Sequence, residues 1–271
     1  MIKDITIGQY FPGTSPIHKL DPRMKIVLTF IYIIFIFLCR NFVAMGAMAI
    51  LLLATVLMSK ISTKLIWKSV KPIFLIVLIT SALQLLYNSD GTVLFEWKRL
   101  HITTGGVYMA IFTTARIVVL VIASSMLTYT TSPTLLTDAI ERLFSPLKVI
   151  KINVHSIAMM MTIALRFIPT LIDEVDKIMS AQKSRGADFE TGSLIKRGKA
   201  MIPIFIPLFI NSFRRAYELA FAMDCRCYQG GEGRTRLKVM KLAARDYISL
   251  GILILFCVGI IVSNHYLTAV I

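Results

Sequence analysis

IVLTFIYIIFIFLCRNFVAMGAMAILLLATVLMS, residues Ile26–Ser59, carries one charge, Arg40, with Asn41 beside it. A hydrocarbon core about 30 Å thick needs roughly 20 apolar residues in a helix. The stretch is too long for one span and reads as two, joined by a tight turn at Arg40-Asn41, with the first span short. The pattern continues outward. Lys60, Lys64, Lys68 and Lys71 lead into a third span, Pro72–Tyr87, and Val107–Thr130 and Tyr247–Ile271 read as a fourth and a fifth. Residues 88–105, with Asp90-Gly91 and several charges, read as a loop.

The composition agrees with a membrane solvent. Hydrophobic residues make up 56% of the chain, mean hydropathy is +0.73 and only 17% is charged. A net charge of +15 would invite a nucleic-acid reading in a soluble protein. Here topology accounts for it: from Lys177 to Asp246, Lys and Arg outnumber Asp and Glu by 14 to 6, an excess of 8. Basic loops flank spans on the cytoplasmic side, so Lys19, Arg23 and Lys25 put the N-terminus inside, and five spans leave the C-terminus outside. The first apolar run starts after Lys25 and further spans follow, so no cleavable leader is expected. Cys39 and Cys257 lie in apolar runs, and Cys225-x-Cys227 lacks the spacing of a metal knuckle, so all four are expected as free thiols.

Residues 131–246 differ. The uncharged runs Ile152–Leu165 and Met201–Phe213 are short for spans. Pro133, Pro146, Pro169, Pro203 and Pro207 predict several helices meeting at angles rather than one long rod. The chain is thus expected to be an all-α polytopic membrane protein with about five transmembrane helices. Residues 1–130 form an N-terminal membrane domain, 131–246 a helical domain on the cytoplasmic side and 247–271 a C-terminal transmembrane helix.

Within 131–246, Ile168, Leu171, Ile172, Val175, Ile178, Met179 and Gln182 recur in steps of three and four, with Asp173, Glu174, Asp176 and Lys177 opposite. This amphipathic helix ends at Ser184-Arg185-Gly186, where glycine suits a left-handed stop. A second helix, from about Phe209, ends at Cys225-Arg226-Cys227, before Gln229-Gly230-Gly231. Both arginines fall in a last turn, where a cation suits the helix dipole. Ile168-Pro169 and Ile206-Pro207, Ala181 and Ala222, Phe189 and Tyr228, and Gly192 and Gly230 mark a weak internal repeat. Matching small-residue contexts leave both guanidinium groups unobstructed, which favours docking over solvated surface.

Catalytic groupings do not emerge. His18, His101, His155 and His265 lack metal-ligand spacing, and no Ser-His-Asp arrangement presents itself. The run from Gly192 to Gly198-Lys199-Ala200 departs from a phosphate loop in spacing and in its alanine, so ATP hydrolysis is not expected of this chain. Arg116, inside the fourth span, is read first as structural, snorkelling or pairing with a carbonyl. Met159, Met160 and Met161 suit either packing or an adaptable contact surface.

The run Ser15 to Lys25 with Asp21-Pro22-Arg23 at its heart, Thr130-Thr131-Ser132-Pro133, Ala164 to Pro169 and the paired arginine signatures together resemble the transmembrane T component of energy-coupling factor transporters, prokaryotic micronutrient importers. The resemblance runs essentially the whole length. It implies a multi-pass scaffold of the cell membrane that couples two ATP-binding cassette subunits to an exchangeable S component that binds the vitamin. Arg185 and Arg226 would end coupling helices docked in the ATPases, and Met159, Met160 and Met161 would be available to the S component. The resemblance implies no cofactor in this chain, with ATP and magnesium held by the ATPases, and no nucleic-acid partner. The family signature is Ala-Arg-Gly; Ser184, Cys225 and Cys227 depart from it, each by a small residue. The alternative classes are a self-contained carrier or channel and a polytopic membrane enzyme.

Overall fold

A computed structural model describes residues 10–87, 92–97, 100–150, 153–189, 193–230 and 240–266. The chain divides into two compact units, one of Gly8–Ala139 with Val239–Ile271, the other of Met1–Ile7 with Ile140–Lys238.

The first unit contains α1 (Pro22–Leu38), α2 (Phe42–Ser59), α3 (Thr63–Val70), α4 (Phe74–Tyr87), β1 (Val93–Trp97), β2 (Leu100–Thr103), α5 (Thr104–Thr130) and α9 (Ala244–Tyr266). The division falls inside α6 (Pro133–Leu143). Local chemistry sets the helix starts. Asp21 accepts from Arg23 N ahead of Pro22, whose missing N–H costs nothing at a first helical position. Asn41 caps α2 through Ala44 N at 2.8 Å, and Thr103 caps α5 through Gly106 N at 3.2 Å.

The expected turn at Arg40-Asn41 is present and is stitched to the end of α9. Asn41 Nδ2 donates to the Ser263 carbonyl and Asn264 Nδ2 to that of Leu38, at 3.1 and 2.7 Å. Ile36, Met48, Phe112 and Ile260 form a fully buried core where α1, α2, α5 and α9 meet. α4 adheres to α5 through polar clamps, Ser81 with Thr114 and Gln84 with Thr113, the small hydrogen-bonding pairs that join helices in lipid. Its outer side chains, Phe74, Leu75, Ile76, Leu78 and Ile79, are exposed, as a lipid-facing surface requires.

Among the described residues five helices are long and apolar enough to cross a membrane: Phe42–Ser59, Thr63–Tyr87, Thr104–Thr130, Val154–Ser184 and Ala244–Tyr266. Four match expected spans. The expected first span is α1, whose 17 residues rise about 26 Å, short of a full core. The fifth of the set, Val154–Ser184, contains the run that the sequence reading took as short for a span, and it has the length and composition of one. Cutting the apolar run at Arg166 made it seem short, yet from Val154 to Ile172 that arginine is the only Lys, Arg, Asp or Glu.

The second unit is built on two 31-residue helices, α7 (Val154–Ser184) and α8 (Leu194–Asp224), with a 3₁₀ turn at Ser145–Ile150 before them. Residues 131–246 do hold several helices rather than one rod, with Pro133 opening α6 and Pro146 in the 3₁₀ turn, but the breaks expected at the other three prolines are corrected. Pro169 lies inside α7 and Pro203 and Pro207 inside α8. Each removes one backbone donor, and the amphipathic faces on either side stay in register, so tertiary packing overrides the local break. Glu174 ties the pair together, accepting from Asn211 Nδ2 at 2.7 Å and Arg215 NH2 at 3.0 Å.

Residues 88–105 hold more than a loop. β1 and β2 pair antiparallel, Trp97 opposite Leu100 and Glu96 opposite His101, with an irregularity between Val93 and Phe95. Alternating Val93, Phe95 and Trp97 supply the strand pattern that the turn-like Asp90-Gly91 masked in the sequence. Asp90 and Gly91 themselves, like Gly192 of the internal repeat, lie outside the described residues.

Candidate functional site

Arg185 and Arg226 end α7 and α8 in the same backbone turn. After the first helix, Gly186 N donates to the Lys183 carbonyl at 3.0 Å and Ala187 N to that of Gln182 at 3.0 Å. After the second, Cys227 N donates to Asp224 O at 2.9 Å and Tyr228 N to Met223 O at 3.1 Å. Both are Schellman stops, in which the residue after the arginine must turn left-handed to satisfy two orphan carbonyls. Gly186 does so at φ +87°, where its missing Cβ makes the turn easy, and Cys227 at φ +54°. A Cβ in that region costs about 1–2 kcal/mol. The weak sequence repeat thus becomes a repeat of hydrogen bonds.

Ser184, Arg185, Gly186, Cys225, Arg226 and Cys227 are all exposed. Among the described residues neither guanidinium has an ion-pair partner within its own unit. Each tip presents a planar fork of donors at the negative end of a helix, so a carboxylate arriving there meets an unspent cation.

Tyr228, in the second turn, reaches back to α7 through a long 3.5 Å hydrogen bond between its hydroxyl and His155 Nε2. His155 Nδ1 in turn meets Glu141 Oε1 at 3.0 Å. The sequence reading left His155 isolated, because a partner 14 residues away on another helix has no local signature. Met160 and Met161 are exposed on α7 and Met159 is half-buried. α8 carries a longer apolar face: Phe205, Phe209, Phe213, Tyr217 and Phe221 follow at steps of four, all exposed. Gly198, Lys199 and Ala200 lie within α8 and form no phosphate loop.

Asp21, Pro22 and Arg23 prove to be part of a buried polar knot in the first unit. Arg23 grips Asp21 through Nε at 3.1 Å and NH2 at 2.9 Å, and also donates to the Met240 carbonyl at 3.2 Å. Asp246, 1% exposed, accepts from Asp21 N at 2.9 Å and Ala243 N at 2.7 Å. Lys25 Nζ donates to the carbonyls of Thr130 at 2.8 Å and His18 at 3.2 Å, closing the end of α5. The motif segments Ser15–Lys25 and Thr130-Thr131 therefore meet in space. His18 Nε2 donates to Phe11 O at 3.0 Å, and its Nδ1 accepts from Ser15 Oγ at 2.7 Å. Burial is the main reason that its pKa lies below the usual histidine value, the Phe11 carbonyl opposing and the Lys25 charge reinforcing. Sequence reasoning took Lys25 as a topology charge and motif end and Asp246 as a boundary, and missed their buried roles; a carboxylate opening an apolar helix was the available signal.

Arg116 finds the carbonyl that the sequence reading proposed for it. Its NH2 donates to Cys39 O at 2.9 Å, satisfying a carbonyl at the C-cap of α1, and its guanidinium lies 4.8 Å over the Phe112 ring.

Comparison with known proteins is consistent along the whole chain. Residues 13–237 match the family described as cobalt transport protein. The energy-coupling factor transporter transmembrane protein EcfT of Clostridium kluyveri is 53% identical over 263 residues, 96% of this chain and 97% of that one. The protein of the same name from Ruminiclostridium cellulolyticum is 51% identical over 98% of this chain and 99% of its own length. That from Bacillus subtilis is 41% identical over 91% of this chain and 93% of its own.

Proposed function

We propose, from the premise that this chain belongs to the family of energy-coupling factor transporter transmembrane proteins, that Arg185 and Arg226 are the points at which two ATPase subunits grip it. The chain is the transmembrane component of such a transporter, a non-enzymatic, multi-pass membrane subunit. ATP binding and hydrolysis then belong to the partner subunits. A carrier acting alone or a membrane enzyme is not favoured by a match of this length and identity.

The observation that carries the docking reading is the identical turn at the two tips. A Schellman stop fixes the backbone from which each arginine projects, so displacement of the docked ATPase is passed to 31 residues of helix rather than lost in a flexible loop. Arg185 and Arg226 each meet an acidic groove on an ATPase. The apolar face of α8 and the exposed Met160 and Met161, with Met159 behind them, press against the substrate-binding S component, whose own residues select the micronutrient. The N-terminus and both tips lie in the cytoplasm of a prokaryotic cell, a reading that the excess of Lys and Arg supports.

The test is purification of the tagged full chain from its native membrane, with identification of whatever accompanies it. Two ATPase polypeptides and a small membrane subunit are expected. Recovery of the chain alone, or activity by the chain alone, overturns the reading.

A further inference from the structure

Between Asp21 and Asp90 the chain has no acidic residue, yet Lys60, Lys64, Lys68 and Lys71 crowd the start of one membrane helix. All four are exposed. In the helical run that joins α3 to α4 through the 3₁₀ turn Lys71–Ile73, Lys64, Lys68 and Lys71 follow at steps of four and three, on one face. Lys60 joins them from the left-handed end of α2. Trp67 stands among them, 69% exposed. The opposite face is held down: Leu65 and Ile66 pack against Ile61, Met126 and Tyr129, the Tyr129 hydroxyl donates to Leu65 O at 3.3 Å, and it also shares a hydrogen bond with Ser69. The lysine face therefore cannot roll inward to find a partner in α5.

Like charges one turn apart repel, so an ordered row without carboxylates calls for an anion from outside the unit. We infer that this face binds anionic phospholipid headgroups. The apolar surface of α4 begins at Phe74, three residues after Lys71, and continues through Leu75, Ile76, Leu78 and Ile79, all exposed. At 1.5 Å per residue, Lys71 and Lys68 lie about 4.5 and 9 Å along the axis from Phe74, which brackets a headgroup layer of about 5–7.5 Å on each side of the hydrocarbon core. Trp67 occupies the interface level where indole rings concentrate, and the lysine stems lie along apolar surface with their ammonium groups at phosphate height. An acidic protein segment would supply the charge but not the hydrocarbon that α4 needs on the same side. A lipid supplies both.

Trp67 is the reporter. The chain has two tryptophans, so Trp97→Phe leaves Trp67 as the sole fluorophore. The full chain is reconstituted by itself in vesicles containing brominated phosphatidylglycerol or brominated phosphatidylcholine, and quenching of Trp67 gives the relative affinity. Preference for the anionic lipid of roughly five- to tenfold is expected at low salt, falling towards unity at about 0.5 M salt. Replacing all four lysines with glutamine abolishes it, and the single Lys68→Gln reduces it, which covers failure of the quadruple variant to fold. Inorganic phosphate at millimolar concentration leaves the ratio unchanged if headgroups are the ligand. Equal quenching by the two lipids overturns the inference. So does loss of a co-purifying subunit from the quadruple variant without any lipid preference in the parent, which would assign the face to an acidic protein.

Discussion

Gly186 and Cys227 occupy the same place in two copies of one turn, each directly after an exposed arginine and each with φ positive, +87° and +54°. The hydrogen bonds around them match donor for donor, with the N–H of the next residue reaching back to Gln182 in one and Met223 in the other. Two helices of different sequence thus end with an exposed arginine on the same backbone turn, and the first predictions concern that arrangement.

Arg185→Glu and Arg226→Glu should each weaken association with the ATPase subunits. Setting an anion against an acidic groove costs about 3 kcal/mol or more, on the order of a hundredfold in affinity per site. Two tips engaged together also share an effective-concentration gain of roughly 10² to 10⁴, so the double variant should be recovered without ATPases after detergent extraction. Lys199→Glu should change little. Retention of ATPases and uptake by both single reversals returns these arginines to solvated helix ends.

Cys227→Gly should stabilise the second tip and Gly186→Ala should loosen the first, each by about 1 kcal/mol. No atom lies within 4 Å of a Cβ placed on Gly186, so the alanine effect isolates backbone strain from crowding. Amide hydrogen exchange of the preceding turn reads it. Faster exchange in Cys227→Gly would contradict the assigned turn.

Lys25→Met should lower the thermal stability of the purified chain. It leaves the Thr130 and His18 carbonyls without this donor in a buried setting, at a cost of about 1–3 kcal/mol. Unfolding in detergent, followed by tryptophan fluorescence, measures the loss. An unchanged midpoint would mean that water replaces the ammonium without penalty.

Arg116→Gln should separate structure from transport. The end of α1 loses the donor to Cys39 O, so the melting temperature should fall, while uptake by the assembled transporter survives. Normal stability with abolished uptake would make Arg116 a functional charge instead.

The His18 loop should weaken in acid. Its folded pKa lies below the unfolded value, so the unfolded chain takes up the proton more readily and stability falls as pH drops through the ordinary histidine range, remaining full above it. Protonation also turns Nδ1 from acceptor to donor against Ser15. His18→Asn should flatten the decline in melting temperature between pH 7.5 and 5.5; an identical slope in both proteins would locate the acid sensitivity elsewhere.

The sequence by itself determined what depends on neighbours along the chain. Spans are legible because a bilayer demands about 20 consecutive apolar residues, and the two tips are legible because a helix stop is chosen within a few residues of Arg185 and Arg226. Where a single residue interrupts a pattern, local reading failed: Arg166 and Pro169 seemed to cut what is one helix of 31 residues. The tertiary structure alone decided the rest. Asp21 meets Asp246 across 225 positions and Lys25 meets Thr130 across 105. Such pairs leave no periodicity to detect. They exist because a charge buried at the end of an apolar bundle must find its hydrogen bonds on whichever helix folding brings beside it.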